Sequence, residues 1–208
     1  RKTRTLDEYR QTLTDIALDA ERMSMLVEDL LTLARADQDM GALPLAPIDL
    51  SALLRTTAPE AEQRAHSCGL EFSLCLPAMP LIVFGDTSVL QRLMTILTDN
   101  ACKYTPPPGR IEWCVYSSDD TATIDVRDTG IGVAPDERAR IFERFYRTDA
   151  ARARDSGGTG LGLSIAHSIV TQHRGSIVAE GTGARGSVFR VTLPVAARRI
   201  HPLGVSPA

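Results

Sequence analysis

The chain has 208 residues, enough for one ordinary domain with a smaller element or for two small domains. Its hydrophobic content of 43% and charged content of 24% are sufficient for a packed core. The net charge of -3 lacks the basic excess typical of proteins that bind nucleic acid or anionic membranes. The sequence has no run of 18 apolar residues, so no transmembrane helix is predicted. A start without methionine indicates a piece of a longer protein.

A long N-terminal helix with one apolar face is predicted for residues 1–36, which contain no glycine or proline. Its apolar residues recur in alternating steps of three and four, the spacing of a helical-bundle seam. They are Leu6, Tyr9, Leu13, Ile16, Ala20, Met23, Val27, Leu30 and Ala34. One helix cannot bury such a face by itself, so we expect a partner helix from this chain or another copy. Packing against the chain's own second domain is the alternative.

A linker and a mixed domain follow the first forty residues. Residues 41–48 contain a glycine and two prolines, which predicts a domain boundary after residues 1–40. Asp49 is the expected N-cap of a helix that ends near Cys68. Further helices are predicted at 87–104, near 135–147 and at 160–173, and strands at 70–76, 81–84, 110–117, 121–127, 175–180 and 187–193. The domain spans 49–195, and we expect 196–208 to be a disordered tail.

The cysteines predict no special chemistry. Cys68, Cys75, Cys102 and Cys114 form no C-x-x-C pair, so we expect no zinc site and a reducing compartment. The simplest interpretation is that all four are small buried hydrophobic residues.

The first polar cluster ends the helix predicted at 87–104. Asn100, Lys103 and Tyr104 fall within about one turn, so an amide, an ammonium and a phenol share a face. These groups suit a hydrated Mg²⁺, a phosphate chain and a sugar or base. Lys103 is one of two lysines beside 21 arginines, which indicates a need for a compact ammonium. Taken alone, an ordinary helix C-terminus with a lysine that complements the dipole is the favoured interpretation.

A second cluster, Asp128-Thr129-Gly130-Ile131-Gly132, directly follows a predicted strand. A carboxylate at a strand end can accept a hydrogen bond from an exocyclic amine, and the two glycines let a flat ring approach the backbone. A common glycine-rich turn is the alternative.

The third cluster is a glycine-rich loop, Gly157 to Gly162, directly before a helix. Exposed amides at a helix N-terminus form an anion site. The loop is no Walker A motif, because no Gly-Lys-Ser/Thr follows. Between the second and third clusters, Arg147 can reach a terminal phosphate. The hairpin that begins at Gly181 is predicted to be structural.

The order and spacing of these segments resemble the sequence boxes of sensor histidine kinases over roughly residues 6 to 194. The N, G1, F, G2 and G3 boxes correspond to Asn100-Ala-x-Lys-Tyr, Asp128-x-Gly-x-Gly, Phe142-x-x-Phe145, Gly158-x-Gly160-x-Gly162 and Gly181-x-Gly183. The N-terminal helix is similar to the second helix of that family's dimerisation and phosphotransfer domain.

The resemblance implies an α+β fold, a two-layer α/β sandwich with a mixed sheet of the Bergerat ATP-binding type. It implies that Asn100 ligates Mg²⁺ and that Lys103 contacts phosphate, with Tyr104 at the ribose or base and Arg147 near the γ-phosphate. Asp128 would read the adenine amine, with Gly130 and Gly132 beside the base. Residues 133–159 would form a lid. The phosphates would meet backbone amides of Gly158, Thr159, Gly160, Leu161 and Gly162.

The resemblance also implies partners: a second copy through a four-helix bundle, and the receiver domain of a response regulator. No nucleic-acid partner is expected. The resemblance implies that this chain is the cytoplasmic part of a bacterial inner-membrane sensor and meets the membrane only through upstream segments. The family's phosphoacceptor histidine sits in a box on the preceding helix. His66, His167, His173 and His201 lack such surroundings, so this chain alone is not expected to autophosphorylate.

The chain departs from the family's pattern a second time at Ile96, four residues before Asn100, where histidine kinases usually place an asparagine. Related hydrolysing ATPases place a glutamate there, and isoleucine cannot act as a base, which argues against a hydrolytic ATPase. Two alternatives stay open: a serine kinase or anti-sigma module of the same fold, which lacks the bundle helix, and a catalytically degenerate scaffold.

Overall fold

A computed structural model describes residues 5, 9–14, 16, 20, 23, 45–118, 120–148, 159–182 and 185–196. Residues 9–14, 16, 20 and 23 are helical, as predicted. Four residues of the apolar seam expose 53% to 67% of their surface: Tyr9, Leu13, Ile16 and Met23. The described part of the chain therefore leaves this face open. The rest of the predicted helix, residues 41–44 and residues 197–208 of the predicted tail lie outside the described residues.

The domain alternates strands and helices along the chain. The strands are β1 (Ala46–Asp49), β2 (Leu70–Cys75), β3 (Ile82–Gly85), β4 (Gly109–Ser118), β5 (Thr121–Asp128), β6 (Ser176–Gly181) and β7 (Ser187–Pro194). The helices are α1 (Leu50–Ser67), α2 (Thr87–Tyr104) and α3 (Gly162–Gln172). The predicted strands and these three helices are confirmed, with ends that differ by no more than two residues.

A mixed five-stranded sheet forms one layer, in the order β2-β4-β5-β7-β6. Strands β2 and β4 run parallel and the other neighbours antiparallel. The three helices pack over one face, where the apolar sides of α2 and α3 meet the sheet. The core there includes the fully buried Leu97, Ile165 and Trp113, and the Trp113 ring meets Phe72 edge-on at 5.2 Å. Among the residues that the structure describes, no helix has both the length and the hydrophobicity needed to span a bilayer.

Both long helices have carboxylate N-caps, as predicted for α1. Asp49 accepts from the amides of Ser51 and Ala52 at 3.0 and 3.3 Å. Asp86 caps α2 by accepting from the Ser88 amide at 2.9 Å. Hydrogen bonds from the Ser88 hydroxyl and the Val89 amide hold the Asp86 pKa below its usual value. Such caps satisfy amides that have no partner within the helix. They therefore fix where α2, the helix that carries Asn100, begins.

Part of the predicted linker is a strand instead. Residues 46–49 pair antiparallel with β3, with Ala46 opposite Gly85 and Asp49 opposite Ile82. The two prolines of the linker favoured a loop, but Pro47 can lie in a short two-stranded ribbon at an edge. The partner strand is more than thirty residues away in sequence, so local composition could not reveal the pairing.

The helix predicted near 135–147 is also wrong. This segment forms turns and one short 3-10 turn at Arg140–Phe142. The backbone at Phe145 is left-handed, with a φ of 62°, which no right-handed helix can include. Tertiary contacts set this course, because Phe142 lies against the His167 ring of α3 at 6.0 Å.

The face of the sheet away from the helices carries a charge cluster around one buried aspartate. Asp125 of β5 has no exposed side-chain surface and accepts two hydrogen bonds from Arg190 and one from Arg127, at 2.8 to 3.0 Å. Burial raises the pKa of Asp125, but the two arginines outweigh it and hold the pKa below its usual value. Arg190 also binds Glu180 of β6, so the cluster joins three neighbouring strands.

We expect Asp125→Asn to lower the free energy of unfolding at neutral pH by about 2 kcal/mol, because two partly solvated arginines lose their buried partner. A depressed folded-state pKa gives stability that is present above the unfolded value of about 3.9 and is lost as pH falls through the folded value. The difference between wild type and variant in urea unfolding should therefore shrink at about pH 3. The exposed Asp120→Asn is the control, and a difference that persists in acid would contradict the assignment.

Candidate functional site

The last turn of α2 places three predicted residues on one face. Asn100, Lys103 and Tyr104 are partly exposed, while Leu97 and Ala101 of the same helix are buried in the core. The Lys103 ammonium lies 5.4 Å from the centre of the Tyr104 ring. This side of the helix therefore presents an amide, a cation and an aromatic ring away from the core, as the spacing predicted.

Arg147 lies near the same turn. Burial lowers the pKa of Lys103, and the nearby charge of Arg147 lowers it further. Burial raises the pKa of Tyr104, and Arg147 opposes that shift. Two cations brought together in a partly desolvated place repel each other, and an anion between them relieves the repulsion. The pair is suited to a phosphate group.

Asp128 ends β5 with its carboxylate almost fully buried, 5% exposed. Its Oδ1 accepts from the Gly130 amide at 2.8 Å and from the Ser187 amide at 3.3 Å. Burial raises the pKa of Asp128 even though these hydrogen bonds oppose the shift. The carboxylate is thus fixed in orientation and placed where water competes little for its oxygens, which strengthens any hydrogen bond that it accepts.

The loop after Asp128 is joined directly to the end of α2. The Ile131 amide donates to the carbonyl of Tyr104 at 3.2 Å. A Cβ on Gly130 would lie 2.4 Å from that same carbonyl oxygen, so only glycine fits there. This contact brings Asp128 and the Asn100–Tyr104 turn to one place although they are separated by a whole strand hairpin. Gly132 continues the loop and lies beside Gly186, whose carbonyl oxygen would be 3.2 Å from a Cβ on Gly132.

The glycine-rich loop contacts the Phe145 segment and α2. Gly160 has a φ of +75°, and its carbonyl accepts from the Phe145 amide at 3.0 Å. Helix α3 begins two residues later, and a Cβ on Gly162 would lie 3.5 Å from Ile96. The N-terminus of α3 therefore meets α2 one turn before Asn100.

The residues of the glycine-rich loop differ in whether their backbone amides are already hydrogen-bonded within the protein. The Leu161 amide donates to the Thr159 hydroxyl at 3.2 Å, and the Leu161 side chain is fully buried, so this residue anchors the loop. Gly158 lies outside the described residues. Of the two phenylalanines of the F box, Phe142 packs toward the core, whereas Phe145 exposes 65% of its surface.

Ser187 is a residue that the sequence did not single out. Its amide holds Asp128, and a Cβ on the preceding Gly186 would lie 2.3 Å from the Asp128 carbonyl oxygen. The hairpin between β6 and β7 therefore braces the carboxylate, in keeping with its predicted structural role. The only hint of this role in the sequence was the pair of small residues Gly186-Ser187 in a hairpin. That they lie opposite the end of β5 cannot be seen in the sequence.

The sequence and fold are those of an ATPase family. Residues 85–197, more than half of the chain, match the family described as "Histidine kinase-, DNA gyrase B-, and HSP90-like ATPase". The chain belongs to this family, which confirms the resemblance drawn from the sequence boxes.

Named relatives are sensor kinases. The chain is 38% identical to the sensor histidine kinase RppB of Synechocystis sp. over 188 residues, covering 90% of this chain and 41% of the relative. It is 35% identical over 185 residues to the signal transduction histidine-protein kinase BaeS of Escherichia coli K12, covering 89% and 39%. The chain thus spans about two fifths of the length of these curated relatives.

Solved structures agree with this assignment. Full-length ShkA in complex with AMPPNP has a TM-score of 0.79 at 32% identity, covering 93% of this chain and 40% of ShkA. The mycobacterial sensor histidine kinase MprB has a TM-score of 0.63 at 30% identity, covering 73% of this chain and 97% of that structure. The predicted two-layer α/β sandwich with a mixed sheet is confirmed.

Two glycines of the loop offer a matched test of its geometry. Gly160→Ala should cost about 1–3 kcal/mol of unfolding free energy, because the backbone is left-handed and a Cβ would lie 2.8 Å from the Phe145 backbone. Gly162→Ala should be nearly neutral, since its Cβ meets Ile96 at ordinary contact distance. Urea unfolding measures both, and equal costs at the two positions would contradict this description of the loop.

Proposed function

We propose that this chain is the ATP-binding catalytic part of a two-component sensor histidine kinase. It would bind ATP with Mg²⁺ and transfer the γ-phosphoryl group to a histidine of a dimerisation hairpin, from which the group passes to a response regulator. The observation that carries the proposal is the junction between Ile131 and Tyr104, which places the buried Asp128 carboxylate beside the turn that bears Asn100 and Lys103. The sensor-kinase names of the relatives support it.

The adenine end of the nucleotide fits the Asp128 side of the site. A carboxylate accepts from the exocyclic amine of adenine, whereas guanine presents a carbonyl oxygen at that position and is repelled. Because Gly130 has no side chain, a flat ring can lie against the loop. Tyr104 offers an aromatic surface next to it for the base or the ribose.

The phosphate end fits the cationic side. Lys103 and Arg147 supply charge, and the N-terminus of α3 supplies backbone amides and a favourable helix dipole. The described residues contain no group of three or more His, Cys, Asp or Glu side chains that could hold a metal ion. The Asn100 amide oxygen would therefore share Mg²⁺ with phosphate oxygens and water, a common arrangement for this ion. The ion would neutralise part of the phosphate charge.

The chemistry that remains for the chain is positioning. In-line attack by an imidazole requires the γ-phosphoryl to be held and its charge compensated, with little covalent work by the protein. Ile96 packs at the α2–α3 junction and offers no base for a water molecule, which favours transfer over hydrolysis. The named relatives are sensor kinases rather than serine kinases.

The same proposal covers the surroundings of the site. Residues 1–40 would be the second helix of a dimerisation domain, and in the intact protein a two-helix hairpin from each of two copies would form a four-helix bundle. The exposed apolar seam supports this. Residues 49–195 would be the catalytic domain. The cellular location, the cytoplasmic side of a bacterial inner membrane, stays a prediction.

Calorimetry with Asp128→Asn tests the adenine contact. An asparagine can keep Oδ1 for the Gly130 and Ser187 amides but turns a donor toward the adenine amine, so the fold survives and recognition fails. We expect ATP affinity in the presence of Mg²⁺ to fall at least about tenfold, and the preference for ATP over GTP to narrow. As the pH falls, protonation of Asp128 should weaken ATP binding by the wild type. Because the Asp128 pKa is raised, this loss should begin at a higher pH than it would for an ordinary aspartate.

The matched control is Asp136→Asn, an exposed carboxylate in the nearby loop, which should bind ATP as wild type does. ATP binding by Asp128→Asn equal to that of wild type would contradict the proposed orientation of the base.

Phosphotransfer separates the alternatives. The chain, mixed with radiolabelled ATP, Mg²⁺ and the histidine-bearing hairpin of a relative such as BaeS, should label the hairpin with acid-labile, base-stable phosphate. Acid-stable label would indicate a serine kinase. ATP binding without any transfer, in this mixture and in a fusion of the hairpin to the chain, would indicate a scaffold. Absence of both binding and transfer would contradict the whole proposal.

A further inference from the structure

The four cysteines lie in two interacting pairs, and the prediction that all four are buried is wrong, since Cys68 and Cys75 are exposed. Cys68 follows α1 and interacts with Cys102 of α2. Cys75 of β2 lies opposite Cys114 of β4 in the parallel register, and their thiols also interact. Cys68 and Cys75 are exposed, and Cys102 and Cys114 are partly buried. Each pair therefore joins an accessible thiol to a shielded one.

Two further contacts fix the Cys68–Cys102 pair from either side. One turn earlier on both helices, Arg64 of α1 forms an ion pair with Asp99 of α2. On the other side, a Cβ on Gly69 would lie 3.3 Å from the Cβ of Pro107, which follows α2. The end of α1 thus runs alongside the end of α2, which brings Cys68 next to the turn that carries Cys102.

The two thiols of this pair differ in accessibility. The exposed Cys68 can meet a dissolved oxidant directly, whereas Cys102 is partly buried and less accessible. An accessible thiol beside a second, resolving thiol is the arrangement found in redox-sensing cysteines.

We propose that Cys68 and Cys102 form a hydroperoxide-sensitive pair whose disulfide weakens nucleotide binding. The Cys68 thiol loses its proton and the thiolate attacks one oxygen of hydrogen peroxide. The O–O bond breaks, a sulfenic acid forms, and the hydroxide that leaves takes up that proton to give water. The Cys102 sulfur then attacks the sulfenic sulfur, its proton leaves with the hydroxyl as a second water, and the S–S bond forms. The peroxide takes up two electrons and two protons in all, and a dithiol reductant reverses the change.

The link to the nucleotide comes from the position of Cys102, and this part rests on the proposed function. Cys102 lies between Asn100 and Lys103 in the same turn, and two residues along a helix correspond to about 200°. It therefore sits behind Asn100, on the side toward α1. A disulfide brings its sulfurs to about 2.05 Å, which draws this turn toward α1 and away from the glycine-rich loop.

The other pair provides an internal control. Cys75 and Cys114 lie on neighbouring strands, and neither belongs to the turn of α2 that carries the candidate site. Oxidation there would leave α2 in place. We therefore assign the effect on nucleotide binding to the Cys68–Cys102 pair alone.

The test uses the chain with Cys75 and Cys114 replaced by serine, so that only one pair remains. Hydrogen peroxide treatment, alkylation of the remaining thiols and mass spectrometry of non-reduced peptides should show Cys68 joined to Cys102 with the loss of two hydrogens. Dithiothreitol should restore both thiols. The Cys68→Ser variant of this protein should form no such peptide. This readout does not depend on nucleotide binding.

Calorimetry with ATP and Mg²⁺ then compares the reduced and oxidised proteins. Oxidation should weaken binding on the order of tenfold, because displacement of positioning groups by about 1 Å costs that much or more. Cys68→Ser should bind ATP equally with and without peroxide. The complementary protein, with Cys68 and Cys102 replaced by serine, should also be insensitive.

Each result decides the matter. Absence of the Cys68–Cys102 peptide would overturn the pair itself, and a disulfide with unchanged affinity would overturn its control of the nucleotide site. If the reduced protein binds no nucleotide, the proposed function fails, while the peptide analysis still decides whether the disulfide forms.

Discussion

The candidate site depends on one short contact between two distant pieces of chain. The Ile131 amide donates to the Tyr104 carbonyl, and Gly130 allows the approach because it has no Cβ. That hydrogen bond uses a carbonyl at the C-terminus of α2, one of the groups that a helix leaves without an internal partner. The loop after β5 therefore caps the helix and is positioned by it. Asp128 and the Asn100–Tyr104 turn cannot move independently while this contact holds.

Other parts of the domain hold the two sides of this junction. The amide of Ser187, in the last hairpin, orients the Asp128 carboxylate, while Asp86 fixes the start of α2. His173, at the end of α3, accepts from the Asp86 amide and so ties the far ends of α2 and α3 together. Asn100, Lys103 and Tyr104 are partly exposed, but the groups that position the site are backbone amides and helix ends within the packed domain. Rigid support of this kind lets positioning replace covalent chemistry in phosphoryl transfer.

Much of this architecture could be predicted from the sequence, because hydrophobic periodicity and capping residues are local signals. The helix predicted at 87–104 matches α2, and the strand predicted at 121–127 matches β5, which is buried on both faces. What failed depended on distant partners. Pro47 suggested a linker, yet β3 supplies a paired strand. Residues 135–147 suggested a helix, yet contacts with α3 and the left-handed Phe145 impose turns. The thiol pairs and the role of Ser187 could not be predicted for the same reason. The residues next to them in sequence do not indicate which strand or helix they contact in the fold.

The central claim is that a single adenosine triphosphate meets both sides of the junction at once. A titration of the isotope-labelled chain with AMPPNP and Mg²⁺, followed by amide proton–nitrogen NMR, tests it most directly. We expect the amides of Gly130, Ile131 and Gly160 and the side-chain amide of Asn100 to shift together with one dissociation constant. Shifts confined to one of these segments, or segments that titrate with different constants, would contradict it.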